Sequence, residues 1–217
     1  MKFKNIDLFI FDMDGLIFET EKLYLKFLPE VMKQLGYTPD VNTINQTIGM
    51  NLSSMKQLYE NKYGKDFPFA TLSEKVYEKL IDHNEKYGLE LVPGVLDVLN
   101  YLHDKGKKCV IASSSGIDII KKYIKKNNLE KYFCDYTAGN EITHGKPNPE
   151  IFLLAAKKQN VNPNNCMVFE DSYNGIRAGV NANMHTIMIP NVQKANAEMK
   201  NISSLILKNI KEILMYI

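Results

Sequence analysis

Phe9-Ile10-Phe11-Asp12-Met13-Asp14-Gly15 is the stretch on which the reading of the fold turns. It closes an apolar run, Leu8–Phe11, that is short and rich in aromatic and branched side chains. Such a run is expected of a strand buried on both faces. The run breaks directly into two carboxylates one residue apart, and Gly15 then permits a turn.

Working outward, three further runs share this character: Lys108–Ala112, Cys166–Phe169 and Thr186–Ile189, with a weaker one near Tyr132–Thr137. Helical patterns lie between them. Val95, Leu96, Val98, Leu99 and Leu102 recur at helical spacing, with Gly106 as a stop. Ile117, Ile120 and Ile124 form a second stripe. Asn148 caps a third helix, with Pro149 in its first turn and Ile151, Phe152, Leu154 and Ala155 following. Strand alternating with helix, and strands that are almost wholly apolar, predict a parallel sheet covered by helices on both faces. From Ile17 to Gly88 the alternation stops. Leu23, Phe27, Val31 and Leu35 are spaced for a helix, which Pro29 is expected to kink. Leu52, Met55, Leu58 and Tyr59 mark another, and Leu72, Val76, Leu80 and Ile81 a third. The fold class is therefore α/β. A Rossmann-like core of residues 1–16 and 89–217 carries a helical insertion, residues 17–88, after its first strand.

The chain has 217 residues, 45% hydrophobic and 24% charged, as expected of a globular protein with a core. Its formal net charge of +2 argues against nucleic acid or an anionic membrane as the main partner. Cys109, Cys134 and Cys166 lie in or beside apolar runs and form no CxxC or Cys/His cluster. They read as reduced core thiols in a reducing compartment. No stretch is long and apolar enough to span a bilayer, and the first residues do not resemble a signal peptide. A cytoplasmic monomer is expected.

Polar residues gather where the strands finish. The first run ends in Asp12-Met13-Asp14-Gly15, the second in Ser113-Ser114-Ser115-Gly116, and the fourth in Glu170-Asp171-Ser172. The region after the weaker third run offers His144-Gly145-Lys146-Pro147. In an open parallel sheet, ligands bind outside the carboxyl ends of the strands, so these sets should converge on one crevice. Asp12, Asp14, Glu170 and Asp171 together form a cluster that repels itself without a compensating cation. Mg²⁺, a hard cation that takes one or two carboxylates and a substrate phosphate oxygen, fits. Ser113 and the backbone N–H groups after it, at Ser114, can cradle a phosphate, and Lys146 offsets its charge. One aspartate can then attack phosphorus while the other handles the proton of the leaving oxygen. Each element alone is weak, since turns favour Asp and Gly and a Ser run often caps a helix. Their order, each at a strand end, is what carries weight.

These residues resemble the haloacid dehalogenase superfamily of phosphohydrolases over nearly the whole chain. Phe9-Ile10-Phe11-Asp12-Met13-Asp14-Gly15 is similar to its first motif, which implies a nucleophile at Asp12 and an acid/base at Asp14. Val110-Ile111-Ala112-Ser113 is similar to the second, with Ser113 on phosphate. Gly145-Lys146-Pro147 resembles the third, and Val168-Phe169-Glu170-Asp171-Ser172 with Gly175 the fourth. The resemblance implies Mg²⁺ held by Asp12, Asp171 and the Asp14 carbonyl, with Glu170 a weaker or indirect ligand. It also implies that residues 17–88 are a cap that closes over the site and selects a small phosphorylated metabolite.

Within the superfamily the chain looks like the branch of β-phosphoglucomutases and sugar-phosphate or nucleotide phosphatases. Thr20 matches a hinge position that couples closure to acid/base chemistry, and Gly49 the glycine of a substrate loop in the cap. Where the mutases carry a histidine, a lysine and an arginine, this chain has Tyr24, Ile48 and a residue near Leu52. A phosphatase is therefore expected, with a sugar phosphomutase as the alternative. Asp14 argues against dehalogenases and phosphonoacetaldehyde hydrolases, which lack the second aspartate. Outside the enzymes of this superfamily, a signalling receiver domain would carry its acceptor aspartate on the third strand. A binding protein on an inactive scaffold would be expected to have lost motif residues. His144 reads as an exposed loop residue, and Tyr24 and Met50 as either packing or substrate contacts.

Overall fold

The computed structural model describes Phe3, residues 5–47 and residues 52–217. Six strands build one parallel sheet: β1 Leu8–Phe11, β2 Lys108–Ser113, β3 Asp135–Ala138, β4 Cys166–Glu170, β5 His185–Met188 and β6 Leu205–Ile206. Their order is β3-β2-β1-β4-β5-β6. All neighbours pair in parallel, and β1 lies between β2 and β4 with Phe9 opposite Cys109 and Met167. The central position explains why every residue of β1 is buried. Leu8 and Ile10 join Val110, Ala112 and Val168 in a cluster with Ile151, Phe152 and Ala155. Phe9 and Phe11 bear on Phe169, with Phe11 stacked at 4.7 Å between ring centroids. Burying each such side chain contributes about 1.5–3 kcal/mol.

In chain order the helices are α1 Thr20–Gln34, α2 Val41–Thr47, α3 Leu52–Tyr63, α4 Phe69–Tyr87, α5 Val95–Asp104, α6 Ile117–Lys126, α7 Glu150–Lys158, α8 Tyr173–Asn181 and α9 Ala197–Ile202. The chain divides into two compact units, 1–19 with 89–217 and 20–88. The division falls after Glu19 rather than after Leu16. Ile17 and Phe18 are fully buried in the first unit, and both are stitched to the returning chain. Val92 N–H donates to the Ile17 carbonyl, Glu19 N–H to that of Glu90, and Phe18 bridges Leu91.

Among its described residues the second unit holds helices and connecting loops and no strand. Phe27, Leu28, Val31 and Met32 of α1 share a core with Leu72, Val76 and Leu80 of α4, and α1 continues through Pro29. Tyr59 and Phe67 stack beneath them at 5.1 Å. Tyr24 packs against this core. Ile48, Gly49 and Met50 lie outside the described residues, and Leu52 is exposed.

Several details differ from the pattern read in the sequence. β3 starts at Asp135, because Glu130–Tyr132 winds into a 3-10 turn. Pro149, not Asn148, is the cap residue of α7 and it gives no side-chain cap; Asn148 stands one residue earlier, its side chain accepting from Glu150 N–H at 3.0 Å. Cys134 is exposed rather than in the core. β6, only two residues long, and α8, diluted by Gly175 and Gly179, offered no apolar periodicity to read. Among the described residues no helix is long and apolar enough to cross a membrane.

Candidate active site

β1 is the point at which the strand order reverses, with β2 on one side and β4 on the other. Such a switch point opens a crevice at the strands' carboxyl ends, and Asp12, Ser113 and Glu170 occupy that edge. Asp12 continues the ladder, its N–H donating to the Phe169 carbonyl at 3.0 Å. The chain then turns. Gly15 has φ +79°, a backbone conformation that favours glycine, and its N–H closes the turn onto the Phe18 carbonyl at 2.9 Å.

Lys146 is the hub. Its Nζ donates to Asp12 Oδ1 at 2.5 Å and to Glu170 Oε1 at 2.6 Å, with all three side chains almost fully buried. It also reaches the Ala112 carbonyl at 3.4 Å and lies 4.9 Å from the centre of the Phe152 ring. The other Glu170 oxygen accepts from the N–H and hydroxyl of Ser172, both at 2.8 Å. Ser172 in turn caps α8 through Gly175 N–H at 3.0 Å. Gly175 is required by close approach: a Cβ there would lie 1.8 Å from the Glu170 carboxylate.

Asp14 is held from the second strand. Ser115 Oγ donates to Asp14 Oδ2 at 2.9 Å, Ser113 Oγ at 3.3 Å, and Ser115 N–H donates to Ser113 Oγ at 3.1 Å. Ser114 is exposed. Asp171 is buried beside Glu170.

One ammonium among several carboxylates leaves the site over-negative. Burial pushes the Asp12 carboxyl up to about 8; Lys146 opposes that shift, and the Glu170 and Asp14 charges add to it. For Lys146, burial disfavours the charged form, but Asp12 and Glu170 outweigh it and raise its pKa, so the ammonium stays charged. Among the described residues no three His, Cys, Asp or Glu side chains form a metal cage by themselves. The donor chemistry nonetheless suits Mg²⁺, which keeps several waters and needs only one or two carboxylates. Asp12 and Asp171 offer hard oxygens at the same strand edge, whereas both Glu170 oxygens are already engaged by Lys146 and Ser172.

Seven residues expected from the sequence thus lie in or beside the three strand ends: Asp12, Asp14, Ser113, Ser114, Lys146, Glu170 and Asp171. The other two expected residues are Thr20 and Gly49. Thr20 opens α1 in the helical unit, where its hydroxyl is buried with no hydrogen-bond partner among the described residues. Gly49 lies outside the described residues. His144 is exposed, and its Nδ1 is 3.3 Å from Glu150 Oε2. Two contributors carry no signal of their own in the sequence. Ser115 reads there only as part of a serine run. Asn191, which donates to the Gly15 carbonyl at 2.7 Å, had no local signal at all.

A doubly wound α/β core with a buried lysine between two carboxylates at its switch point belongs to the class that handles small anionic ligands at strand ends. The family described as haloacid dehalogenase-like hydrolase matches residues 9–189, and the chain belongs to that family. The chain is 32% identical over 187 residues to a phosphorylated carbohydrates phosphatase of Thermotoga maritima, covering 82% of each chain. It is 30% identical over 182 residues to the fructose-1-phosphate phosphatase YqaB of Escherichia coli, covering 82% of this chain and 93% of that one. Its fold is like that of a β-phosphoglucomutase from Clostridium difficile. There the TM-score is 0.77 at 23% identity, over 96% of this chain and 93% of the other.

Proposed function

We propose that this protein is a phosphoric monoester hydrolase acting on a small phosphorylated carbohydrate or similar metabolite. The observation that carries the reading is the buried Lys146 ammonium between Asp12 and Glu170, with Asp14 held alongside by two serine hydroxyls. The phosphatase relatives support the reaction class. The mutase reading draws on likeness of fold, and Tyr24 and the exposed Leu52 do not supply the mutases' polar cap groups.

In this mechanism an Asp12 oxygen attacks phosphorus and the bond to the ester oxygen breaks. Asp14, entering as the acid, gives its proton to the departing alkoxide. The aspartyl phosphate on Asp12 is then attacked by water, and Asp14 takes up the proton that water loses. The phosphorus–oxygen bond to Asp12 breaks, which frees phosphate and restores both carboxyl groups. Ser113 and the N–H groups around Ser114 receive phosphate oxygens, and Lys146 offsets their charge. Asp12, Asp171 and the Asp14 carbonyl would hold Mg²⁺, while Glu170 holds Lys146 in place. Bound Mg²⁺ supplies positive charge that offsets repulsion between the anionic nucleophile and the anionic phosphoryl group. The helical unit acts as the cap, with Thr20 at its hinge and Gly49 in its substrate loop.

The test is phosphate release from a panel of sugar phosphates and nucleoside monophosphates, with Mg²⁺ and with chelator. β-Glucose 1-phosphate is included with a glucose 6-phosphate readout. Mg²⁺-dependent phosphate release is expected. Glucose 6-phosphate formed without phosphate release would replace the hydrolase by a mutase.

A further inference from the structure

Asn191 stands two residues beyond Ile189, whose N–H continues the sheet by donating to the Glu170 carbonyl at 2.8 Å. That places Asn191 on the carboxyl edge of the sheet, beside the turn that carries Asp14. Its Nδ2 donates to the Gly15 carbonyl at 2.7 Å and to Glu19 Oε2 at 3.0 Å. Gly15 is the residue after Asp14, and Glu19 is buried where the chain leaves the core unit. The turn itself closes on backbone bonds from Gly15 to Phe18 and from Ile17 and Phe18 to Met13. Those bonds set its shape. They do not fix its position against the rest of the sheet, because all of them lie inside the turn. Val92 ties the far end of the turn through the Ile17 carbonyl, and Asn191 ties its near end through the carbonyl of Gly15, the residue after Asp14.

We infer that Asn191 is a positioning residue that acts through Asp14, holding the Gly15–Leu16 peptide at the head of the turn so that the Asp14 carboxyl stays against Ser113 and Ser115 and in line with the leaving oxygen. Proton transfer needs that alignment, because a general acid works only within hydrogen-bond reach of the atom it protonates. Attack by Asp12 does not depend on where the Asp14 carboxyl points, and assays at saturating Mg²⁺ keep the Asp14 carbonyl's hold on the cation from limiting it. Asp12 is anchored separately, by its ladder bond to Phe169 and by Lys146. Loss of Asn191 should therefore harm protonation of the leaving group and spare nucleophilic attack. The inference rests on the phosphatase reading.

The two steps are separated by leaving group. An alkyl ester such as glycerol phosphate leaves as a strongly basic alkoxide and needs the proton. p-Nitrophenyl phosphate leaves as a stable phenolate and does not. kcat/KM is measured for both, since it reports the path up to the first bond cleavage. Asn191→Ala is expected to lower kcat/KM on the alkyl ester by roughly 10- to 100-fold, within the range of general-acid contributions. On p-nitrophenyl phosphate the change should stay within about threefold. Asn191→Asp keeps the shape but sets a carboxylate against the Gly15 carbonyl and Glu19, and should widen the same split. Thermal melts of both variants check folding. Equal losses on the two esters, or no loss on either, in folded protein would overturn the inference while leaving the phosphatase reading intact. Failure of the unmutated protein to release phosphate from these esters and from every member of the sugar-phosphate and nucleotide panel would overturn both.

Discussion

Replacing Lys146 by Met is the sharpest test of the electrostatic design, because it is read in stability and needs no substrate. Methionine keeps most of the apolar stem against Phe152 and removes only the ammonium. Asp12 and Glu170 are then left facing each other across the position that Nζ held at 2.5 and 2.6 Å. Their side chains are only 9% and 1% exposed, so water cannot replace the lost partner. Removing one member of a buried ionic cluster costs about 3–5 kcal/mol. In a protein of this size each kcal/mol lowers the melting temperature by about 2–4 °C, so a fall of roughly 6–20 °C is expected. Melts are recorded by circular dichroism with chelator present, so that no divalent cation takes the ammonium's place. Adding Glu170→Gln to Lys146→Met removes one stranded charge and should recover part of the fall, whereas Glu170→Gln alone should destabilise. That sign reversal is the signature of coupled neighbours. A Lys146→Met protein that melts within about 2 °C of the parent, or above it, would refute the assignment of Lys146 as the compensating cation.

Asp12→Asn should abolish phosphate release, a loss of roughly 10³-fold or more, while the melting curve keeps its shape; activity near normal would remove the nucleophile assignment. Asp171→Ala should raise the Mg²⁺ concentration needed for half-maximal activity by about 10-fold or more, since loss of even an indirect partner costs that much. Gly175→Ala places a methyl group on the Glu170 carboxylate and should cost about 1–3 kcal/mol, read as a lower melting temperature; an unchanged melt would mean that the α8 N-terminus yields freely.

What was legible in the sequence is what the strands deliver locally. Asp12, Ser113 and Glu170 end or directly follow buried apolar runs, so their convergence could be inferred from the rule that parallel strands point their carboxyl ends the same way. Lys146 follows no strand directly, and only its place between β3 and β4 in chain order assigned it to the same edge. What stayed hidden is the support. Ser115 donates to Asp14 from 101 residues away, and at 2.9 Å it is nearer than Ser113 at 3.3 Å. Spacing could not rank the two hydroxyls, because which one points inward depends on how β2 ends. Gly175 could be noted beside Glu170-Asp171, yet its reason is a close approach that exists only once α8 turns back over β4. Asn191 is further still from any local cue, since an asparagine after a proline reads as an ordinary turn residue. Its meaning arises from a bond spanning 176 residues to a backbone carbonyl, and a carbonyl has no side-chain identity for a pattern to match. The residues that would perform chemistry must have a particular side chain and so can be spelled out along the chain. Those that orient them can act through backbone atoms, so their roles become visible only when the strands are assembled.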